Sequence, residues 1–296
     1  MLLLSVFREK FGMATPGLQV ALTDDPRIDR LTEGYAWSLG ADRVITYSFD
    51  NEFDGPTGTW TTEWKDRVNA AIASWEAVAN IDFVLVGTPG GQFQNQSSAD
   101  FSIALSPGFG GGVFAALGVF PDPLFADQLL TDNSYSRTGG TFPFPNPEGD
   151  IAIDSTIGLG TSEWIEILIH EVGHALGLKH PEDTINGHPG SSAYTGLDTI
   201  MIKQAGVDSI VASTPMVLDI LAIQQIYGAN TTYRTGDDVY ELIGLPRTIW
   251  DAGGVDTISA THAGAALIDL RAGTLSHAGG TNIAIAFGVA IENAIG

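Results

Sequence analysis

The chain of 296 residues contains no cysteine, little positive charge and no long hydrophobic run. The lack of cysteine excludes disulfides, thiolate catalysis and cysteine-based zinc sites, and leaves histidine, aspartate and glutamate as the strong metal ligands. With 13 Lys and Arg against 35 Asp and Glu, the net charge is −22, so binding to nucleic acid or to an anionic membrane is not expected. No stretch approaches the ~20 apolar residues of a membrane span, so we predict a soluble protein.

The periodicity of the chain divides it into three parts. Residues 1–26 show no clear period and are predicted to be a leader or pro-like segment, and a signal peptide is not expected because the basic residues follow the apolar run. Residues 27–228 alternate predicted strands with amphipathic helices, the second helix starting at Thr161 and the third capped by Thr214. Residues 229–296 contain short β-like runs broken by Gly, Asp and Asn, which indicates a separate β domain.

The stretch HEVGHALGLKHP holds three of the six histidines of the chain. His170 and His174 are four residues apart on the second predicted helix, so their side chains project from the same face. Gly177 can adopt a left-handed conformation, end the helix and return the chain, which lets His180 approach the same point. Three neutral imidazoles leave one tetrahedral position of Zn²⁺ open, and this is the coordination of a catalytic site.

Glu171 lies beside the first of these histidines, where its carboxylate can take a proton from a zinc-bound water. The alternative is that the histidines are ordinary helix-surface residues next to an ordinary glutamate. A bare H-E-x-x-H motif occurs by chance, but the added glycine and third histidine favour the metal site. The other histidines, His188, His262 and His277, have no such partners and are predicted to be loop or surface residues.

The extended motif H-E-x-x-H-x-x-G-x-x-H resembles that of the metzincin metallopeptidases, and Pro181 after the third histidine is typical of their serralysin branch. Further stretches over residues 27–296 are similar to that branch: IDRLTEGYAWSLGADRVITYSF, DILAIQQIYGAN, YRTGDDVYEL, WDAGGVDTI and IENAIG. The resemblance implies an α+β metzincin catalytic domain, with a mixed sheet above an active-site helix. A short all-β calcium-binding segment is expected to follow it.

The resemblance also implies roles for further residues. Met201, in DTIMIKQ, would form the methionine turn beneath the zinc. The strand GDIAID would be the edge strand that pairs with an extended substrate; its candidate residues are Asp150, Ile151, Ala152 and Ile153. One calcium ion would be held by Arg234, Gly236, Asp238, Asp251, Gly253 and Asp256, and a second by Gly254, Asp256, Ala290 and Glu292.

Two features depart from the pattern of that branch. The tandem Gly-Gly-x-Gly-x-Asp repeats of a calcium-filled β-roll are reduced to one degenerate copy, AGGVDTIS, and the sequence leaves open whether the chain is truncated. Lys203 stands where the branch usually has a tyrosine that reaches the zinc or the oxyanion. Its side chain is expected either to swing out to solvent or to pair with a carboxylate, and we expect the first. A third interpretation is that Lys203 itself stabilises the oxyanion.

These observations predict a secreted zinc-dependent endopeptidase that cleaves extended protein or peptide substrates, with Zn²⁺ as catalytic and Ca²⁺ as structural cofactor. The alternative is a catalytically weak or inactive binding or structural protein on the same scaffold. A purely calcium-dependent adhesion module would explain residues 229–296 but not the histidines. We expect a monomer, with no nucleic-acid or membrane partner and with room for a proteinaceous inhibitor. By resemblance, export would use a C-terminal signal that this chain does not contain.

Overall fold

The computed structural model describes residues 14–50, 60–86, 99–105, 115–124, 148–203 and 210–296, which form four helices and fourteen strands. The helices are α1 (Pro26–Asp29), α2 (Thr62–Val78), α3 (Thr161–Ala175) and α4 (Val217–Tyr227). The strands are β1 (Thr15–Gln19), β2 (Tyr35–Ser38), β3 (Val44–Asp50), β4 (Asp82–Leu85), β5 (Phe101–Leu105), β6 (Ala116–Gly118), β7 (Ile151–Ile153), β8 (Val239–Glu241), β9 (Arg247–Ile249), β10 (Thr257–Ser259), β11 (Ala266–Leu267), β12 (Leu275–Ala278), β13 (Thr281–Ile285) and β14 (Asn293–Ile295). The predicted α+β composition is confirmed.

The largest sheet has five strands in the order β4-β3-β5-β7-β6. Four of them are parallel, and β6 pairs antiparallel with β7. Every residue of β5 and β7 is buried, as expected for interior strands of a largely parallel sheet.

The prediction that Asp150–Ile153 forms the edge strand is therefore wrong. Strand β7 is hydrogen-bonded on both sides, to β5 and to β6, so its backbone has no free side for another chain. Among the described strands, β6 lies at this edge. It has only three residues, which are too few to show a period in the sequence.

Helices α2 and α3 pack against each other through tryptophans. The indole Nε1 of Trp75 donates to the carbonyl of Ile169 at 3.0 Å, and the rings of Trp64 and Trp164 meet edge to face at 4.7 Å. Thr61 caps α2 by accepting the N–H of Trp64.

Helix α4 begins later than the sequence indicated, because Met216 and not Thr214 occupies its N-cap position. The hydroxyl of Thr214 accepts the N–H of Thr248 instead, and the carboxylate of Asp219 accepts the N–H of Met216. A buried carboxylate therefore replaces the expected hydroxyl cap at this end.

The predicted leader or pro-like segment, residues 1–26, is part of the fold from residue 14 onward. Strand β1 pairs antiparallel with β2. His188, which was predicted to be a loop or surface residue, is buried, and its ring lies between the hydroxyl of Thr32 and the carbonyl of Val20. Residues 1–13 lie outside the described part. The other two histidines, His262 and His277, are exposed as predicted.

After α4 the chain contains strands and turns only, in two sheets ordered β14-β10-β8 and β11-β12-β13-β9. The first sheet is parallel throughout, and its register aligns Val239 with Thr257 and Thr257 with Asn293. In the second sheet β13 runs parallel to β9. None of the described helices has the length and apolar character that crossing a membrane requires.

Candidate metal centre and active site

Helix α3 ends in a turn that only glycine fits. Gly177 has φ +100°, and a Cβ at this position would lie 2.3 Å from the carbonyl oxygen of Tyr35. The indole of Trp37 donates to the carbonyl of Ala175 at 2.7 Å and satisfies one of the last carbonyls of the helix. The chain therefore reverses directly after α3, as the sequence predicted from the glycine.

The reversal brings three imidazoles to one point. The Nε2 atom of His180 lies 3.3 Å from Nε2 of His170 and 3.2 Å from Nε2 of His174. Two nitrogens bound to one tetrahedral zinc ion at ~2.05 Å are themselves about 3.3 Å apart. The spacing of the three nitrogens therefore fits a single zinc ion.

Hydrogen bonds on the other side of each ring leave the Nε2 lone pairs facing inward. Nδ1 of His170 bonds to the carbonyl of Ile200 at 2.8 Å, and Nδ1 of His174 bonds to the carbonyl of Leu178 at 2.7 Å. Nδ1 of His180 lies 3.1 Å from the carboxylate of Asp183. Because these oxygens accept, each neutral ring carries its proton on Nδ1. Three converging lone pairs repel one another unless a cation lies between them, so the donor set fits a metal ion.

Burial keeps these histidines neutral. It lowers the pKa of His170 to about 4, with a further contribution from the neighbouring His180. Burial also lowers the pKa of His174 well below its usual value, and that of His180 less because Asp183 opposes the shift. Neutral imidazole is the form that binds a metal.

Glu171 lies between helix α3 and the edge strand. Its side chain is buried, and its Oε2 accepts the N–H of Gly118 in β6. Burial raises the pKa of the Glu171 carboxyl to about 8, and the Gly118 bond opposes that shift. The ring of Phe120 packs edge to face on His174, with centroids 5.2 Å apart. The catalytic candidate thus lies next to the edge strand β6.

Met201, the predicted methionine-turn residue, packs against the helix that bears His170 and His174. It is fully buried, and its Sδ fills the space at Gly173, where a Cβ would lie only 2.6 Å from the sulfur. Gly173 follows Glu171 by two positions and precedes His174, so the turn at Met201 supports the segment of α3 that carries the site.

Lys203 is exposed and paired, which differs from the expected unpaired side chain in solvent. Its Nζ contacts Oδ1 of Asp183 at 2.5 Å, while the other carboxylate oxygen of Asp183 faces His180. The ion pair and the histidine lower the pKa of Asp183 against the effect of its burial. Lys203 therefore contacts the metal centre through Asp183.

Lys179, next to His180, is a buried lysine that sequence reasoning missed. Its Nζ donates to the carbonyls of Arg30 and Asp183, both at 2.7 Å, and of Pro189 at 3.1 Å. These bonds join the loop of the third histidine to the segment that follows α1.

Asp219 is a second missed residue, and it organises the turn that contains Met201. Its carboxylate accepts the N–H of Ile200 and that of Met216, both at 2.7 Å, and the hydroxyl of Thr199. An acidic residue in the first turn of a helix is expected from the sequence, because it stabilises the helix N-terminus. The contact of Asp219 with residues 199–200 could not be predicted in this way.

The predicted calcium residues lie in two adjacent turns. Carboxylate oxygens of Asp238, Asp251 and Asp256 lie within 4.8 Å of one another. Oδ2 of Asp256 is buried and has no hydrogen-bond partner among the described residues. Gly254 has φ +147°, and a Cβ on it would lie 2.2 Å from the carbonyl oxygen of Gly236. The closely packed backbone of Gly236 and Gly254 therefore lies near the three acidic side chains.

Other predicted calcium residues have different surroundings. Arg234 pairs with Asp238 through its guanidinium at 3.0 Å and has φ +49°. Gly253 donates its N–H to the carboxylate of Asp251. Glu292 accepts the N–H of Asp256 at 2.8 Å, which brings it to the acidic cluster, whereas Ala290 is exposed two residues earlier.

A helix bearing H-E-x-x-H, a glycine turn that returns a third histidine, and a buried methionine beneath them define the metzincin class of metal centre. Residues 218–296 match the family of peptidase M10 serralysin C-terminal domains. The chain is also similar to serralysin of Proteus mirabilis, with 31% identity over 97% of this chain and 63% of the relative. It is 33% identical to serralysin of Photorhabdus luminescens over 78% of this chain and 50% of the relative.

Serralysin C of Dickeya chrysanthemi is 40% identical over 44% of this chain and 34% of its own length. The protein is a serralysin-like metzincin. The chain spans about half to two-thirds of the length of the first two of these relatives.

Proposed function

We propose that the protein is a zinc-dependent endopeptidase. The observation that supports this most is the convergence of three neutral imidazole Nε2 atoms, 3.2 and 3.3 Å apart, beside the buried carboxylate of Glu171. His170, His174 and His180 would hold the ion. When bound, zinc supplies Lewis-acid activation of water and of the scissile carbonyl.

The residues of the chain would handle the proton. Glu171 takes the proton from the attacking water and passes it to the nitrogen of the leaving amine as the C–N bond breaks. The N–H of Gly118 holds one carboxylate oxygen of Glu171 and so fixes the orientation of the group. Phe120 shields His174 from water on one side.

We propose that the substrate adds to the edge strand β6 as a further strand. In the ladder with β7, Val119 donates to Asp150 and Asp154 donates to Ala115, so the main-chain groups of Ala115, Leu117 and Val119 face β7. The main-chain groups of Ala116 and Gly118 then point away from β7. Because the N–H of Gly118 donates to Glu171, the substrate would pair with the groups of Ala116 and the carbonyl of Gly118. Binding through main-chain groups recognises an extended shape more than a sequence, and broad specificity follows.

The test is the variant Glu171→Ala, with Glu163→Gln on the exposed face of the same helix as control. We expect Glu171→Ala to retain about one zinc per chain and to lose casein and peptide cleavage, because it removes the base and no metal ligand. The control should cleave at nearly the wild-type rate. Cleavage at an unchanged rate in Glu171→Ala would refute the assignment of the base. A chelator should abolish wild-type cleavage.

The alternative of a catalytically weak or inactive binding protein is less well supported, because Glu171 lies beside the three converging histidines. Two features favour the alternative: Lys203 and the reduction of the β-roll repeats to one degenerate copy. The Lys203 side chain pairs with Asp183 at 2.5 Å. The alternative would be favoured by a purified protein that contains zinc and cleaves neither casein nor unstructured peptides.

We also propose calcium at the cluster of Asp238, Asp251 and Asp256. Three carboxylates with carbonyl-exposing glycine turns offer the hard oxygen ligands that Ca²⁺ prefers. The unpartnered Oδ2 of Asp256 supports a cation there, and like charges of the neighbouring acids contribute to the raised pKa of this carboxyl, after burial. Gly254, Asp256, Ala290 and Glu292 would serve a second ion. Millimolar calcium should raise the melting temperature, and an unchanged value would contradict the proposal.

The division at residue 229, action outside the cell and a monomeric state remain part of this proposal. The acidic composition and the similarity to serralysins support the extracellular assignment. Extracellular substrates would then be proteins or peptides in extended form, and a proteinaceous inhibitor would compete for the same edge strand.

A further inference from the structure

One peptide group connects His170 to a buried carboxylate. Nδ1 of His170 bonds to the carbonyl of Ile200 at 2.8 Å. The N–H of the same peptide group, on Met201, donates to Oγ1 of Thr199 at 3.0 Å. The hydroxyl of Thr199 in turn donates to Oδ1 of Asp219. The hydrogen bonds form a continuous chain from the imidazole to the carboxylate.

The acceptors in this hydrogen-bond path determine which group donates at each step. The carbonyl of Ile200 can only accept, so His170 carries its proton on Nδ1. Because Oγ1 of Thr199 accepts from Met201, its single hydrogen is available for the carboxylate of Asp219. Donors that all point the same way polarise one another, and the effect is stronger in a buried, low-dielectric setting. Thr199 and Asp219 are both fully buried.

The other two histidines end on different partners. The peptide group that accepts from His174 donates its own N–H, on Lys179, to the neutral carbonyl of Leu31 at 2.7 Å. His180 faces Asp183 directly, but that carboxylate is partly exposed and also paired with Lys203. By contrast, the hydrogen bonds described for Asp219 all come from uncharged groups. No cation among those partners therefore competes with this path for the carboxyl group of Asp219.

We propose that Asp219 and Thr199 are positioning residues for His170, which hold the Ile200–Met201 peptide group against its ring and so fix the ring orientation and increase the electron density on Nε2. This inference rests on the proposed function in that it takes His170 as a metal ligand. Partners one step behind a metal ligand typically change metal affinity or activity 10- to 100-fold when they are removed. A loss in that range is expected here although neither residue approaches the metal.

The decisive comparison is Thr199→Val with Thr199→Ser. Valine has nearly the shape of threonine but lacks the hydroxyl, whereas serine keeps it. Both variants leave the bonds from Asp219 to the N–H groups of Ile200 and Met216, so the start of α4 keeps its cap. Asp219→Asn replaces the carboxyl group at the end of the hydrogen-bond path by an amide. Asp198→Asn is the control, because the Asp198 carboxylate accepts the N–H of Thr195 and is not part of that path.

Zinc affinity is measured by competition with a chelator, and folding by circular dichroism. We expect about 10-fold or more weaker binding for Thr199→Val and Asp219→Asn, and changes within about twofold for Thr199→Ser and Asp198→Asn. The double variant of Thr199→Val and Asp219→Asn should be no weaker than the worse single variant, since both interrupt one path. Equal affinities of the valine and serine variants would overturn the proposal.

A second measurement uses the metal-free protein. The ¹⁵N shift of the protonated Nδ1 of His170 reports the strength of its hydrogen bond to the Ile200 carbonyl. It should be the same in the wild type and in Thr199→Ser and should change in Thr199→Val, because the polarising hydroxyl is lost. An unchanged Nδ1 shift in Thr199→Val would also contradict the inference. This readout needs no bound zinc, so a wild-type protein that fails to bind zinc would refute the proposed function while the shift still decides the role of Thr199.

Discussion

Replacing Gly118 by alanine should inactivate the proposed enzyme through a backbone displacement. A Cβ on this residue would lie 2.4 Å from the carbonyl oxygen of Glu171 and 3.0 Å from Cβ of His174, whereas ordinary contacts are 3.4–4 Å. The nearest atom belongs to the backbone of α3, so no side-chain rotation relieves the overlap. Strand β6 or helix α3 must therefore move by about 1 Å.

That displacement acts on the base itself. Gly118 donates its N–H to the carboxylate of Glu171, and a 1 Å misplacement near reacting groups lowers rates by about 10²-fold. Overpacking of this kind also destabilises a protein by typically 1–3 kcal/mol. We expect kcat/KM to fall about 10²-fold in a peptide-cleavage assay, with a melting temperature lower by several degrees and with zinc still bound by the three histidines.

Gly158→Ala is the matched control, because a Cβ on Gly158 meets nothing within 4 Å. Neither glycine has a positive φ, so the two substitutions differ in the space around them and not in backbone strain. The control should keep activity within about twofold. Wild-type activity and melting temperature in Gly118→Ala would show that β6 does not pack this closely on α3.

Three further results are expected. Lys203→Ala should lower kcat less than about fivefold, because its ion pair with Asp183 is half exposed and such pairs contribute about 0–1 kcal/mol. Asp183→Asn should weaken zinc binding about 10-fold, and a larger loss of zinc affinity in Lys203→Ala than in Asp183→Asn would contradict this prediction. Burial and the neighbouring Asp122 raise the pKa of Glu33 from 4.5 to about 8 in the folded protein. Between pH 4.5 and about 8 the unfolded chain has lost this proton and the folded protein still holds it, so stability falls as the pH rises through this range. Denaturation at pH 5 and pH 8.5 should show that Glu33→Gln removes up to about 4 kcal/mol of this fall; parallel curves for variant and wild type would refute it. Asp256→Asn should reduce the calcium-induced rise in melting temperature, measured against Asp269→Asn outside the cluster, and an equal rise in all three proteins would count against the site.

The sequence predicts the parts of the site whose geometry is local. A four-residue spacing on one helix and a glycine three residues after the second histidine are enough to place His170, His174 and His180 near one point. The partners that lie far along the chain carry no such signal. Thr199 meets Asp219 only because α4 packs against the preceding turn, and the pairing of Lys203 with Asp183 depends on how two loops approach each other.

The sequence also could not predict which strand lies at the edge of the five-stranded sheet. The buried run of β7 indicates a strand, but its rank in the sheet depends on β6, whose three residues carry no recognisable period. The N-terminal segment is similar: Thr15–Gln19 includes a positive-φ glycine and its side chains are partly exposed, so pairing with β2, and not periodicity, makes it a strand.

The parallel register after α4 has a consequence for how this part of the chain can change length in evolution. Val239 aligns with Thr257, 18 residues later, and Arg247 aligns with Ile283 after 36, so both sheets advance in multiples of one 18-residue step. Duplication or loss of a whole step would keep the buried column of Tyr240 and Ile258 in alignment. An insertion of an odd number of residues within a strand would turn the following apolar side chains toward solvent. Homologues should therefore differ in the length of this β region by multiples of 18 residues, and other insertions or deletions should occur only in its turns.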